Sequence, residues 1–338
     1  MVDIVNFFLI WITLAAAIAW PFELFLFSYI VLGPLHYLTE VNWLDKQNYF
    51  LRGKDTRVFV WSMAALVLVL TAFTLVPETN YWKATQPIFQ SIYSTPGHPL
   101  QTAVKWSWTL LLVAFVASAA WVFTEKWSLR APIMILCLLS TLLFYTVPTA
   151  AILFGIILPT IGHVFLFTIL FMLYGTMKTR SGWGYANIIS MGLVVVVILL
   201  YPREVQPGSL SQSVIALTLA SAFDKVNFVI NRWMGGKLEL YSADCFKVQS
   251  FIAFAYTYHY LNWFSKTSII KWHQVEKKKF IYSAVLWVVS LVLYKVDFRL
   301  GFAAISALSI LHIVLEFPLN LVSMKGILGA VTARLRTA

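Results

Sequence analysis

Thr149-Ala-Ala-Ile-Leu-Phe-Gly-Ile-Ile-Leu-Pro159-Thr-Ile-Gly-His163-Val-Phe-Leu-Phe-Thr-Ile-Leu-Phe-Met-Leu-Tyr-Gly175 contains no Asp, Glu, Lys or Arg. It is longer than the ~20 apolar residues that carry a helix across ~30 Å of hydrocarbon. Runs of this kind recur throughout the 338 residues. The chain is 60% hydrophobic and only 12% charged, about half the charged share of soluble domains, and its mean hydropathy is +0.79. A water-soluble core cannot absorb so much apolar surface. A helix satisfies its own backbone bonds in lipid, so the expected fold is all-α, a polytopic transmembrane helical bundle forming one integral membrane domain over residues 1–338.

Outward from that run, the composition predicts about ten spans: 5–20, 22–38, 58–76, 103–123, 131–147, 149–175, 184–201, 248–265, 280–294 and 300–318. Pro21 separates the first two, and Pro159 predicts a kink four residues before His163. Residues 41–57 read as a polar loop. The stretch 214–232 stays open between a span, a half-span and a surface helix, because Asp224, Lys225, Asn227, Asn231 and Arg232 follow an apolar start. The first run lacks the basic start and small-residue cleavage site of a signal peptide, so it reads as a retained span. With the N-terminus inside and 202–247 outside, sixteen of the 25 Lys and Arg fall on the cytoplasmic side, and both termini are cytoplasmic.

The net charge of +11 would suggest nucleic acid for a soluble protein. In this chain the basic residues sit in loops, where they orient the spans and meet anionic membrane lipid, so no nucleic-acid partner is expected. The two cysteines, Cys137 and Cys245, form no CxxC pair, which argues against thiolate metal binding and a disulfide framework.

Chemistry concentrates at Ala255-Tyr-Thr-Tyr-His259-Tyr-Leu-Asn262-Trp-Phe-Ser-Lys266. At helical spacing Tyr256, His259, Asn262, Trp263 and Lys266 share a face. Ionisable groups at membrane depth are costly and mark functional sites by default. Six histidines are present, and the ten-span topology puts His36, His163, His259 and His312 on spans of the same direction. His98 falls in an outer loop and His273 in an inner one. Glu40 and Glu316 each follow a histidine by four residues, one helical turn on. Imidazoles with carboxylates suit a first-row metal with open positions. The expected metal ligands are therefore His36, His163, His259 and His312, with Glu40 and Glu316 as ligands or orienting partners. Tyr256, Asn262 and Lys266 are the candidate catalytic donors. A lone membrane histidine more often only hydrogen-bonds a neighbouring helix, Asn262 more often bridges helices, and Lys266 more often snorkels to the interface.

The second run ends in Gly33-Pro34-Leu35-His36-Tyr37-Leu38-Thr39-Glu40. This resembles the Gly-Leu-Pro-His-Gly-Ala-Leu-Asp segment of the Brp/Blh family of membrane β-carotene 15,15'-dioxygenases. Proline is displaced by one position, Tyr-Leu stands for Gly-Ala, and Glu for Asp. The resemblance covers about ten residues of the chain, and the family's later His-x-x-x-His pair is absent from it. The resemblance implies His36 as a metal ligand, non-haem Fe(II) as cofactor, and cleavage of a long apolar, carotenoid- or lipid-like substrate by O2. Two other readings stay open. Pro-interrupted spans with polar residues suit a transporter with a midplane site. The His259/Asn262 pair resembles that of membrane-bound acyltransferases, where the histidine is a general base.

Overall fold

The computed structural model describes residues 1–46, 120–146, 153–205, 210–236, 242–266 and 276–337, apart from 222 and with isolated positions between these ranges. Among the described residues every regular element is helical. In chain order these are α1 (Val2–Ala19), α2 (Pro21–Phe27), a π-helical turn (Ser28–Leu32), α3 (Gly33–Lys46), α4 (Trp127–Thr146), a π-helical stretch (Leu153–Phe167), α5 (Thr168–Thr179), α6 (Gly182–Leu200), α7 (Gln212–Ala220), α8 (Phe223–Trp233), α9 (Ala243–Ser265), α10 (Lys277–Val296) and α11 (Phe298–Thr337).

Among the described residues six helices are long and apolar enough to cross a membrane: Val2–Ala19, Pro21–Leu44, Ile157–Thr179, Gly182–Leu200, Lys277–Val296 and Phe298–Thr332. The chain is a multi-pass membrane protein. These six answer to six of the ten expected spans, and the described residues do not confirm the count of ten. Most of the expected spans 58–76 and 103–123 lies outside the described residues, which include only 61, 62, 64, 65, 117 and 120–123 of them, and His98 and His273 lie outside as well. Expected span 131–147 is helical in α4, but only Trp127–Leu136 ranks among the shorter apolar helices. Expected span 248–265 is helical in α9, yet that helix is too polar to rank as a span, since it carries Asp244, Lys247, Gln249, Ser250, Thr257, His259 and Asn262. The open stretch 214–232 forms α7 and α8, bent by 85°.

Three boundaries move for physical reasons. The expected loop 41–57 begins late, because α3 continues through the helix formers Leu44 and Lys46. Pro159 produces a π-helical stretch around itself, one of the local adjustments that re-satisfy backbone groups freed by proline. Pro318 lies inside α11 without ending it. The break after α1 follows expectation: Pro21 occupies the first turn of α2, where its missing N–H costs nothing.

The described chain falls into two compact units. Unit 1 comprises Met1–His36, Thr160–Ile281 and Ser323–Ala338. Its centre is α9, fifteen of whose 23 residues are buried. Polar side chains tie neighbouring helices to it. Asn6 donates to Ser265 Oγ (2.9 Å), Tyr258 OH donates to Asn6 Oδ1 (3.3 Å), and Ser28 and Thr257 hydroxyls meet at 2.7 Å. Asn227 of α8 donates to Cys245 O (3.0 Å) and Gln249 Oε1 (3.1 Å). Ser181 donates to Asp3 Oδ2 (2.6 Å), which pins α6 to the first turn of α1. The buried stripe of α6 is Gly184, Asn187, Ser190, Met191, Val194 and Ile198, while Ile189, Leu193, Val196 and Leu200 face outward. Gly184, Asn187 and Ser190 on the inner face, with large aliphatics along the outer one, follow the pattern of helices that pack in lipid.

Unit 2 comprises Tyr37–Pro159 and Tyr282–Val322. Its helix α10 buries only Ser283, Ser290 and Tyr294, and Ser283 accepts from Asn42 at 2.7 Å. Asp297 caps α11 by accepting from Leu300 N (2.8 Å). A Cβ at Gly301 would lie 2.7 Å from Tyr294 Cα, so only glycine lets the two helices turn this closely. Arg130 sits over Trp121 at 4.8 Å and donates through Nε to Thr124 O (2.9 Å).

Candidate metal centre

Unit 1 brings three of the expected ligands together. His36 comes from α3, His163 from the π-helical stretch, and His259 from α9. Their residual exposures are 1%, 1% and 7%. The Nε2 atoms of His36 and His259 are 3.0 Å apart, with ring centres at 4.7 Å and planes at 80°. The His163 ring lies 5.1 Å from that of His259 at 63°. Two nitrogens bound at right angles to one first-row ion at ~2.1 Å lie about 3.0 Å apart, so the His36–His259 pair already has the spacing of adjacent ligands. The His36–His259 pair fits a metal by chemistry as well as by spacing, because neutral imidazoles are donors that tolerate a dry interior.

Both π-helical segments serve this group. Ser28–Leu32 ends four residues before His36, and Leu153–Phe167 contains His163. A π turn widens the helix and re-aims the side chains around it, which is why such turns gather at sites. The walls are aromatic. Tyr260, Trp263 and Phe264 rings lie 5.1, 5.5 and 6.4 Å from His36. His259 Nδ1 is 2.8 Å from Thr168 Oγ1, and that hydroxyl is 2.9 Å from Val164 O.

The other expected site residues have different surroundings. Tyr256 is buried with Phe25, Tyr29 and Phe223, at ring distances of 5.3, 6.1 and 5.5 Å. Asn262 is buried one turn below His259. Lys266 caps α9, its N–H bonded to Trp263 O (3.1 Å), and is only half-buried. His312, Glu316 and Glu40 belong to unit 2. His312 Nδ1 donates to Ser309 O (2.6 Å) and its ring stacks on Tyr37 at 4.2 Å. Glu316 and Glu40 are buried, each one turn along from a member of that stack.

Sequence reading missed Thr168 and Tyr260. Thr168 offered one signal, a hydroxyl in the otherwise aliphatic and aromatic run that follows His163. Tyr260 offered none, since aromatic residues surround His259 on every side. No family profile, curated protein or solved structure matches this chain.

Proposed function

We propose that this protein is a membrane-embedded non-haem iron oxygenase acting on a long apolar, carotenoid- or lipid-like substrate. One observation carries this reading: three buried imidazoles from three helices of one unit, two of them at the spacing of adjacent metal ligands. His36 and His259 would hold the ion, with the His163 ring beside them. Ferrous iron held there would supply the electrons that allow O2 to react with a closed-shell organic molecule. The chain's own part is to keep the imidazoles neutral and oriented and to keep water out. Tyr260, Trp263 and Phe264 line the His36 side with surface suited to an apolar chain. Entry is lateral, from the lipid.

The topology that goes with this function has ten spans and cytoplasmic termini. The six apolar helices are joined by 58–76, 103–123, 131–147 and 248–265, with 214–232 outside. The last of the four is central to unit 1, so it meets protein in place of lipid. Accessibility of single cysteines placed at the two termini tests this; at both ends protection from outside reagent is expected in sealed right-side-out vesicles and labelling in inverted ones.

The test of the function is elemental analysis of the detergent-purified protein after anaerobic loading with ferrous iron. About one equivalent is expected for the native chain and background for His259→Ala. Loaded protein given O2 and a carotenoid should form a shortened aldehyde or ketone product. Iron at background in the native chain defeats the reading.

The 85° bend between α7 and α8 favours a second reading, a transporter with a discontinuous helix. In that case the loaded protein consumes no O2 with any apolar substrate, and vesicles holding it accumulate a solute.

A further inference from the structure

Thr168 Oγ1 touches two atoms, Val164 O at 2.9 Å and His259 Nδ1 at 2.8 Å. A hydroxyl has one proton to give and two lone pairs to receive. Val164 O is a carbonyl and can only accept, so the hydroxyl proton points there. The contact with His259 then requires the imidazole to be the donor, Nδ1–H to Oγ1. Neutral imidazole protonated at Nδ1 is bare at Nε2. A helical threonine bonded to the carbonyl one turn back is common and fixes only its own rotamer. The second contact, across to another helix, makes this one different.

We propose that Thr168 is a positioning residue that locks His259 in its Nδ1–H tautomer, so that Nε2 is a ready-made donor to a first-row divalent cation. The inference deepens the metal-centre reading, on which its consequence for the ion rests. Thr168 is 2% exposed and opens α5, directly after the π-helical stretch that carries His163. One helical element thus supplies one imidazole and orients another. A consequence follows for His36. Its Nε2 faces a bare Nε2 at 3.0 Å, so without an ion His36 supplies the proton of that contact. An ion held there would take the place of that proton, which would move to His36 Nδ1 and leave the ring neutral. His259 needs no change. The pair is asymmetric: one ligand is preset and the other switches.

The experiment uses the full chain in detergent, labelled with 15N-histidine and free of metal. Two- and three-bond proton–nitrogen spectra distinguish the two neutral tautomers, and His259→Ala identifies the His259 signals. Expected are Nδ1–H for His259 and Nε2–H for His36 in the native chain. Thr168→Ser should retain both, and Thr168→Val should lose the His259 preference. Titration with cobalt(II) should then show affinity about 10- to 100-fold weaker for Thr168→Val, the usual effect of removing a group that orients a ligand. Thr168→Ser should stay within about three-fold of the native chain on that scale. His259 protonated at Nε2 in the native spectrum overturns the proposal, whether or not the valine variant folds. Unchanged spectrum and affinity in Thr168→Val overturn it as well. A native chain that shows the Nδ1–H form but takes up no cobalt or iron keeps the tautomer assignment and defeats the metal-centre reading instead.

Discussion

Two helices of similar length, α9 in unit 1 and α10, most of which lies in unit 2, reverse the usual rule about where polar residues go. Helix α9 carries His259, Gln249, Asn262 and Thr257, and all four are buried. Helix α10 is rich in valine and leucine, and its Val285, Leu286, Val288, Val289 and Val292 are exposed. Its buried positions are two serines and a tyrosine. Lipid is as apolar as leucine, so leucine gains little by leaving it, while a hydroxyl or amide gains a partner by turning inward. Hydropathy therefore reports exposure to lipid. It does not report depth in the membrane, which is why the most buried helix of unit 1 fails the test that α10 passes.

The largest expected effect that would sharpen this contrast is a charge on the outer face of α10. Val288→Arg, near the helix middle, should destabilise insertion by about 2.5–3.5 kcal/mol. Glycosylation-based insertion assays of this helix read that cost directly, and an unchanged insertion efficiency would place Val288 away from lipid. Next is volume. Ala253 of α9 is fully buried, so Ala253→Leu should cost about 1–3 kcal/mol by overpacking. Val289 on α10 is nearly half exposed, so Val289→Leu should leave the thermal midpoint in detergent unchanged. Equal effects at the two sites would break the comparison. Smaller still is the polar tie between α1 and α9. Asn6→Ala removes the bonds to Ser265 and Tyr258, and interhelical bonds of this kind average ~0.6 kcal/mol in membranes, with a maximum near 1.7. A loss above that maximum in reversible unfolding would mean that Asn6 does more than bridge helices.

The smallest effect concerns reactivity alone. Cys245 lies before the span proposed at 248–265, packed with Phe22, Leu210 and Phe246. Burial pushes its thiol up to about 12, so at pH 8 it stays a thiol, and the thiolate is the nucleophile. In a Cys137→Ala background the folded protein should resist alkylation at pH 8 and react promptly once denatured. Rapid labelling of the folded protein would show that this end of α9 opens.

Much of the fold was legible because it depends on local composition. An uncharged run such as 149–175 can only be a span in a chain this apolar, and Pro21 sits where a helix must restart. The misfits arise where tertiary contacts override local signals. Pro318 does not end α11, because backbone groups freed within a bundle find other partners. The polar tail of 214–232 could not announce the bend between α7 and α8, since Asn227 reaches α9 across 18 and 22 positions in sequence. At the site, histidines on apolar runs marked the candidate ligands, and a glutamate one turn on marked His36 and His312 alone, but spacing cannot say which helices meet. His36 and His259 are 223 positions apart. Thr168 was the least visible of all, because its role lies in a proton it withholds from His259 and gives to its own helix.

The π-helical turn at Ser28–Leu32 makes the region before His36 sensitive to length more than to composition. Each residue of an α-helix advances the azimuth by about 100°, and a π turn holds one position more than the α register allows. Deleting one residue within 28–32 would remove that extra position and let the helix anneal into regular α form with His36 near its present azimuth, whereas deleting one residue from the regular helix beside it would swing His36 through roughly 100°, away from His259. Aliphatic exchanges in the same turn would leave the angle alone. For an evolving or engineered relative of this chain, the turn works as a vernier. It absorbs a single deletion that its regular neighbours cannot.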